Sequence, residues 1–582
     1  MHKKLISLVL TLSLACTAAS FPAAADADGG TALYPAPAGV ELKGSRSNPS
    51  APDWSEYDAL MKEIDKETSP EKRLALMHRA EDMVMETAAI LPLSFAVDTY
   101  LQSTKVSGIY SDPYGRKIFR YAETPDGRFR MNVGGEPQVL DPANVCTSDG
   151  MVLSGNLFSG LFSFDPDGRV IPDCADEEHP YDLSEDGLVY TFHLREGLMW
   201  SDGTKLTAED FAYSWKRAAK PETGSPFGYL LKDHVADKDG EIDVTAPDER
   251  TFVVHLSAPC PYFINLITLT TFFPVKKECV EAADTYGNNP IAWVQEAGFV
   301  TNGPYTVKEW KHDDAMILQK NPHWYNAEKV KTGEVDVMLN DDRVAAFAAY
   351  SAGNIDLLDP LAPNEMPALI GREDFHSEPL LGTNFFVFNV NCRIFAGKTA
   401  EQSINMRKAV SLLIDRDYIV NDIMQKGEII ANALVPDGMS DGSGGLYRQN
   451  TDSYSYPLAE DRGYFKTEQD DEATKEAIRL LESAGYKFEN GKLSKETPLR
   501  IVMLMSANSS EKTVAEAVQQ DLAEVGIDLD IDVREYNAFI EELRRGNFEF
   551  TFTGWYSDYN DPTSMLSIMV SNSGNNSAQF GK

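Results

Sequence analysis

What is scarce in this chain excludes more than what is plentiful. There are six cysteines in 582 residues and no CxxC or Cys/His ligand spacing, which argues against a zinc site. Beyond Cys16, the five that follow (Cys146, Cys174, Cys260, Cys279 and Cys392) are an odd number that cannot pair fully. In so long a chain disulfides are optional. Histidine is almost as rare, with nine in all and none after His376. After the opening segment no run of about 18 uncharged apolar residues occurs, so no membrane span is expected. Basic residues number 53 against 90 acidic ones, a formal charge of −37. That balance argues against a nucleic-acid backbone or an anionic membrane surface as partner. It does not point to a cationic ligand, because dispersed acidity serves solubility.

What is present is the composition of a folded protein: 43% hydrophobic, 10% aromatic and 25% charged residues. The length suggests roughly two to four lobes. Residues 1–25 read as a targeting segment. His2, Lys3 and Lys4 begin it, Leu5 to Ala15 form a short apolar core, and Phe21-Pro22-Ala23-Ala24-Ala25 is a small-residue exit. Cleavage near Ala25 leaves an exported soluble protein. Lipidation at Cys16 is the alternative, but Ser13 stands where a lipoprotein signal usually has leucine. Residues 26–50 are rich in Gly, Ala, Pro and Ser and read as a flexible linker.

Further along, strand and helix patterns interleave, which is the signature of an α/β fold. Leu74, Met77, Ala80 and Val84 recur at helical spacing within a helix expected over 58–86. A strand-like stretch begins near Arg128. Tyr190, Phe192 and Leu194 alternate with polar residues, and Thr207 with Asp210 forms a capping-box pattern ahead of Phe211 and Trp215. Phe548, Phe550 and Phe552 alternate with Glu549, Thr551 and Thr553, predicting a half-buried strand that delivers Gly554 and Trp555 to its edge. Gly438-Met439-Ser440-Asp441-Gly442 fits the Gly-x-Ser-x-Gly pattern of hydrolases but lies in a polar loop, with no histidine later in the chain. It reads as a chance match, and no enzyme is expected. Asp165-Pro166-Asp167-Gly168 and Asp237-Lys238-Asp239-Gly240 lack the full spacing of a calcium loop and read as hairpin turns.

These blocks resemble the extracytoplasmic solute-binding proteins of peptide ABC transporters, the oligopeptide-binding family. The resemblance runs in the family's order from 128 to 582. It continues out of order at 54–121, where Asp58, Arg73, Ala80-Glu81, Ile90-Leu91-Pro92, Val106, Gly108, Pro113 and Gly115 match the family's C-terminal elements. Nothing is duplicated, so the chain reads as circularly permuted; a misassembled gene is the other reading. The resemblance implies a two-lobed, three-domain periplasmic-binding-protein-like fold with mixed sheets and hinge closure. Residues 51–96 would be the displaced C-terminal part of lobe III. Domain I would comprise 97–158 and 276–381, domain II 159–275, and domain III 382–582.

The family binds a peptide as an added extended strand between two closing lobes, without a cofactor, and delivers it to the transmembrane permease subunits. A buried peptide ammonium is costly unless it is paired. The family meets it with an aspartate in a Trp-x-x-Asp-Tyr-Asn segment, here Trp555-Tyr556-Ser557-Asp558-Tyr559-Asn560. Asp558 is thereby implied as the ammonium clamp; on its residues alone it could simply close the turn before Asn560-Asp561-Pro562. The same carry-over implies Trp555, Tyr556, Tyr536 and Phe227 as pocket aromatics, and Cys146-Thr147-Ser148 as the loop that pairs with the peptide backbone. Relatives that clamp the peptide carboxylate use basic residues where this chain has Phe552, Leu543 and Glu511. Arg544 and Arg545 stand next to one of these positions, so whether a free C-terminus is clamped stays open; a longer peptide whose tail exits the cleft, or an amine without a carboxylate, fits equally well. The expected protein is a monomer in the periplasm or cell envelope, binding oligopeptides. An oligosaccharide, a metal chelate or haem is the alternative ligand class.

Overall fold

The computed structural model describes residues 33–40, 42–283, 289–362, 365–507 and 509–582. The expected targeting segment, 1–25, lies outside them. The described chain divides into two compact units. The first holds Thr99–Ala362 and Gly371–His376; the second holds residues 33–98, 365–370 and Ser377–Lys582. Two long strands, Ile90–Gln102 and Phe375–Phe388, contribute residues to both.

In the first unit a mixed sheet runs in the order Tyr305–Lys311, Ala315–Lys320, Glu334–Met338, Arg128–Asn132, Leu357–Leu358. The first three strands are antiparallel, and Arg128–Asn132 then lies parallel to both of its neighbours. Phe129, Met131, Val335, Val337, Met316 and Leu318 point into its core. A separate antiparallel sheet, within the stretch expected as domain II, runs in the order Val244–Asp248, Thr251–His255, Val189–His193, Tyr181–Leu183. The helix Ala208–Ala219 packs against that sheet through Phe211 and Trp215, both fully buried. Asp210 Oδ2 accepts from Thr207 N at 2.7 Å, which completes the expected cap. The two short acidic turns at 165–168 and 237–240 join hairpins.

In the second unit the sheet contains Ile90–Gln102, Phe375–Phe388, Phe550–Tyr556, Arg500–Ser506 and Asp528–Arg534 in that order. Helices Ala400–Leu413, Asp471–Ser483 and Ser509–Glu524 enclose its core, which includes Phe386, Phe388, Met503, Val518 and Phe550. The helix expected over 58–86 is two helices, Ser55–Ile64 and Pro70–Met85. Pro70 lacks an N–H and disfavours helical backbone at Ser69, so it starts a new helix instead of continuing one. Ser69 is extended, with ψ 116°.

Both helices dock against the end of the chain. Trp54 Nε1 donates to Met569 O and Tyr57 OH to Leu566 O, each at 2.8 Å. Ser571 N donates to Asp58 Oδ1 at 2.9 Å, and the Trp54 ring lies 5.1 Å from Phe580. Two residues within the expected flexible linker make contacts. Leu33 and Tyr34 lie against the core, Tyr34 stacks on Phe465 at 5.3 Å, and Lys466 N donates to Leu33 O at 2.9 Å. No helix among the described residues is long and apolar enough to cross a membrane.

Candidate functional site

The strand Phe550–Tyr556 carries three of the predicted residues or leads directly to them. Its antiparallel ladder with Phe375–Phe388 runs from Phe550↔Phe388 to Tyr556↔Gly382. On its other side the parallel ladder with Arg500–Ser506 is confined to Phe550↔Met503 and Thr551↔Leu504. The expectation of a half-buried strand needs correction. Phe550, Thr551 and Thr553 are all buried, so the threonine face is covered as well, while Phe552 is half-buried and Tyr556 exposed. Thr551 meets the cost by donating to Leu504 O at 2.7 Å.

Beyond Thr551 the polar groups are treated differently. Thr553 Oγ1, Trp555 Nε1 and Ser557 Oγ are buried and have no hydrogen-bond partner among the described residues. They occupy successive odd positions and so share one face of an extended chain. An unmet buried donor or acceptor costs about 1–3 kcal/mol, so each of the three is a group that a hydrogen-bond partner would stabilise. Tyr556, on the opposite face, is 37% exposed and lies over Gly382. A Cβ at residue 382 would come within 2.7 Å of the Tyr556 ring, so glycine is what permits this approach.

After the strand, Ser557 N donates to Leu381 O at 2.7 Å and the chain turns. Asp558 is half-buried at the start of the turn, its N–H donating to Ser564 Oγ at 2.9 Å. The carboxylate that braces the turn is Asp561, which is fully buried. It accepts from Thr563 N at 3.0 Å and Thr563 Oγ1 at 2.6 Å, and from Arg73 Nη1 and Nη2 at 2.7 and 2.8 Å. Asn560 Oδ1 accepts from Ser440 N at 2.8 Å. That contact puts the hydrolase-like motif on an irregular loop, with Ser440 Oγ accepting from Gly442 N at 3.1 Å. The bracing roles of Arg73, Asn560 and Asp561 were missed by sequence reasoning. Asp561 before Pro562 was the available signal, since Asp-Pro favours turns.

The remaining candidates fall at helix starts. Tyr536 is the first residue of Tyr536–Arg545 and is half-buried; Glu535 caps that helix by accepting from Asn537 N at 3.0 Å. Leu543 is buried. In the first unit, Cys146, Thr147 and Ser148 lead into the helix Ser148–Leu157, and half-buried Phe227 precedes Gly228–His234. These two loops are tied together: Asn144 Nδ2 donates to Thr223 O at 2.7 Å, and Ser225 Oγ donates to Ala143 O. The thiol of Cys146 is exposed and unpaired.

Comparison with known proteins identifies the family and the fold. The family model described as bacterial extracellular solute-binding proteins, family 5, matches residues 169–577. The periplasmic oligopeptide-binding protein OppA of Salmonella typhimurium is 32% identical over 463 residues, 77% of this chain and 78% of that protein. Among solved structures, the unliganded open form of the murein tripeptide binding protein MppA aligns with a TM-score of 0.64 at 25% identity, covering 82% of this chain and 85% of that one. The complex of Haemophilus influenzae OppA with the peptide RPPGFSPFR aligns with a TM-score of 0.52 at 26% identity, covering 78% and 84%. The chain belongs to the bacterial extracellular solute-binding proteins, family 5, whose members bind solutes and are not enzymes.

Proposed function

We propose that this protein captures oligopeptides outside the cytoplasmic membrane and hands them to the permease subunits of an ABC transporter, acting as a monomer. The observation that carries this reading is the row of unmet buried polar atoms on Thr553, Trp555 and Ser557, running along an extended strand toward Asp558. An extended peptide presents backbone N–H and C=O groups at the same repeat as a strand, so it can meet such a row whatever its side chains. Asp558 would then pair with the peptide ammonium, and Trp555, Tyr556, Tyr536 and Phe227 would face peptide side chains. Cys146, Thr147 and Ser148 would contribute backbone contacts. Relatives named for oligopeptides, and a relative solved with a nonapeptide, support the ligand class. Hinge closure belongs to the same proposal.

Circular permutation is part of this reading too. It is supported by the seating of Trp54, Tyr57, Asp58 and Arg73 on residues 561–580, where two segments far apart in sequence complete one folded unit. Such rearrangement is tolerated when joined ends lie at a surface.

A thermal-shift panel tests the ligand class. Peptides of about four or more residues should raise the melting temperature by mass action, whereas oligosaccharides, metal chelates and haem should leave it unchanged. Stabilisation by a sugar, a chelate or haem, with no response to peptides, would overturn the proposal.

A further inference from the structure

Away from the strand and turn just described, two imidazoles and a carboxylate meet on the antiparallel sheet of the first unit. Asp182 lies in the strand Tyr181–Leu183, paired with Thr191 of Val189–His193. His193 is two residues beyond Thr191, so side-chain alternation makes it the diagonal neighbour of Asp182 on one face. His193 N donates to Pro180 O at 3.0 Å, which draws the preceding loop alongside. His179 in that loop is oriented through its backbone N–H, which donates to Asp176 Oδ1 at 3.1 Å. The two imidazole rings lie 4.8 Å apart at an interplanar angle of 18°. Both Nε2 atoms face Asp182 Oδ2, at 2.9 Å from His193 and 3.3 Å from His179. One donor atom from each of the three residues lies within 4.8 Å of the others.

We propose that His179, Asp182 and His193 bind one divalent first-row transition ion of the zinc or nickel class. Such an ion takes nitrogen and carboxylate oxygen ligands at about 2.0–2.2 Å, so adjacent ligand atoms around it stand roughly 3–3.6 Å apart. Of the two separations from Asp182, 3.3 Å falls within that range and 2.9 Å at its lower limit. Two imidazoles favour a transition ion over calcium or magnesium, which prefer all-oxygen shells. His179 and Asp182 are exposed and His193 is half-buried, which leaves an open side for water to complete the coordination. The proposal runs against the expectation of no zinc site, which rested on the missing Cys/His spacing; here the ligands come from a loop and two paired strands, and no compact ligand motif spans His179 to His193. Bound there, the ion would pin the 176–180 loop to the sheet.

The test is calorimetric titration of the tag-free, metal-free full chain with zinc chloride, in the absence of any peptide. The expected result is one zinc per chain. His193→Ala and Asp182→Asn should each weaken it by about tenfold or more, since even outer-shell changes cost 10–100-fold. His312→Ala, a histidine paired with Glu136 elsewhere, should leave zinc affinity unchanged. Circular dichroism of each variant checks the fold, and Asp182→Asn preserves shape should His193→Ala misfold. Zinc affinity equal to wild type in both ligand variants, or no saturable zinc binding, would overturn the proposal. Neither outcome bears on peptide capture, which the measurement does not involve.

Discussion

Arg73 is 2% exposed, and its guanidinium is held by two hydrogen bonds to the fully buried Asp561. A charge at that depth is tolerable only because its partner is opposite in sign and bidentate. Truncation of one member strands the other in a low-dielectric interior. Arg73→Met should therefore lose about 3–5 kcal/mol of stability, read from urea denaturation; a loss within error of zero would show that the pair braces nothing. The same carboxylate organises Thr563 and the turn that carries Asp558. The sequence resemblance matched Arg73 to a family position without revealing its partner, 488 residues further on. Asp558 was legible as a candidate only because a Trp-x-x-Asp-Tyr-Asn pattern surrounds it. The unmet atoms of Thr553 and Ser557 were not legible, since burial of that face depends on strands distant in sequence.

At the scale of elements, helix Pro70–Met85 faces the 447–464 loop through a buried polar cluster. His78 is stacked between Tyr447, at 4.3 Å, and Tyr454, at 3.9 Å. Glu81 Oε1 accepts from Leu434 N and Val435 N, at 3.1 and 2.8 Å. Asp82 Oδ1 accepts from the hydroxyls of Tyr454 and Tyr464, at 2.6 and 2.9 Å. Burial pushes the Glu81 carboxyl up from 4.5 to about 7 and that of Asp82 from 3.8 to about 6, and pulls His78 down from 6.5 to about 3. A raised carboxyl keeps its proton longer when folded, so its stabilising effect is complete below the unfolded value and is lost as pH rises through the folded one. The depressed histidine acts in reverse, with stability lost as pH falls from 6.5 toward about 3. Glu81→Gln isolates one arm. The stability of wild type minus that of the variant should fall by about 3 kcal/mol as pH rises from about 4.5 to above about 7. Chemical denaturation at several pH values reads this directly, and a difference independent of pH would contradict it.

Element boundaries were partly legible for the same physical reasons. The capping box at Thr207 and the alternation of Tyr190 and Phe192 are local signals, and they fold as local signals predict. The break at Pro70 was also local, yet continuous helical periodicity on both sides masked it. The packing of Leu33 and Tyr34 was hidden because a Gly/Pro-rich composition says how free a chain is, not whether two apolar side chains find a surface.

At the scale of the whole molecule, the opening helices and the final turns complete one unit of the fold, and the strand that leads to Asp558 runs through that same unit. The net charge of −37 contributes solubility across the surface and does not select a ligand. In the proposed function selection falls to a few placed groups, and the carboxylate of Asp558 is the one that would neutralise the amino end of an extended peptide. Calorimetry with one peptide in free-amine and N-acetylated forms, against wild type and Asp558→Asn, tests it most directly. Acetylation should weaken binding to wild type by about 2–5 kcal/mol, the range for breaking a buried charged pair, and should change little in the variant. Equal affinity of wild type for the two forms would contradict the account.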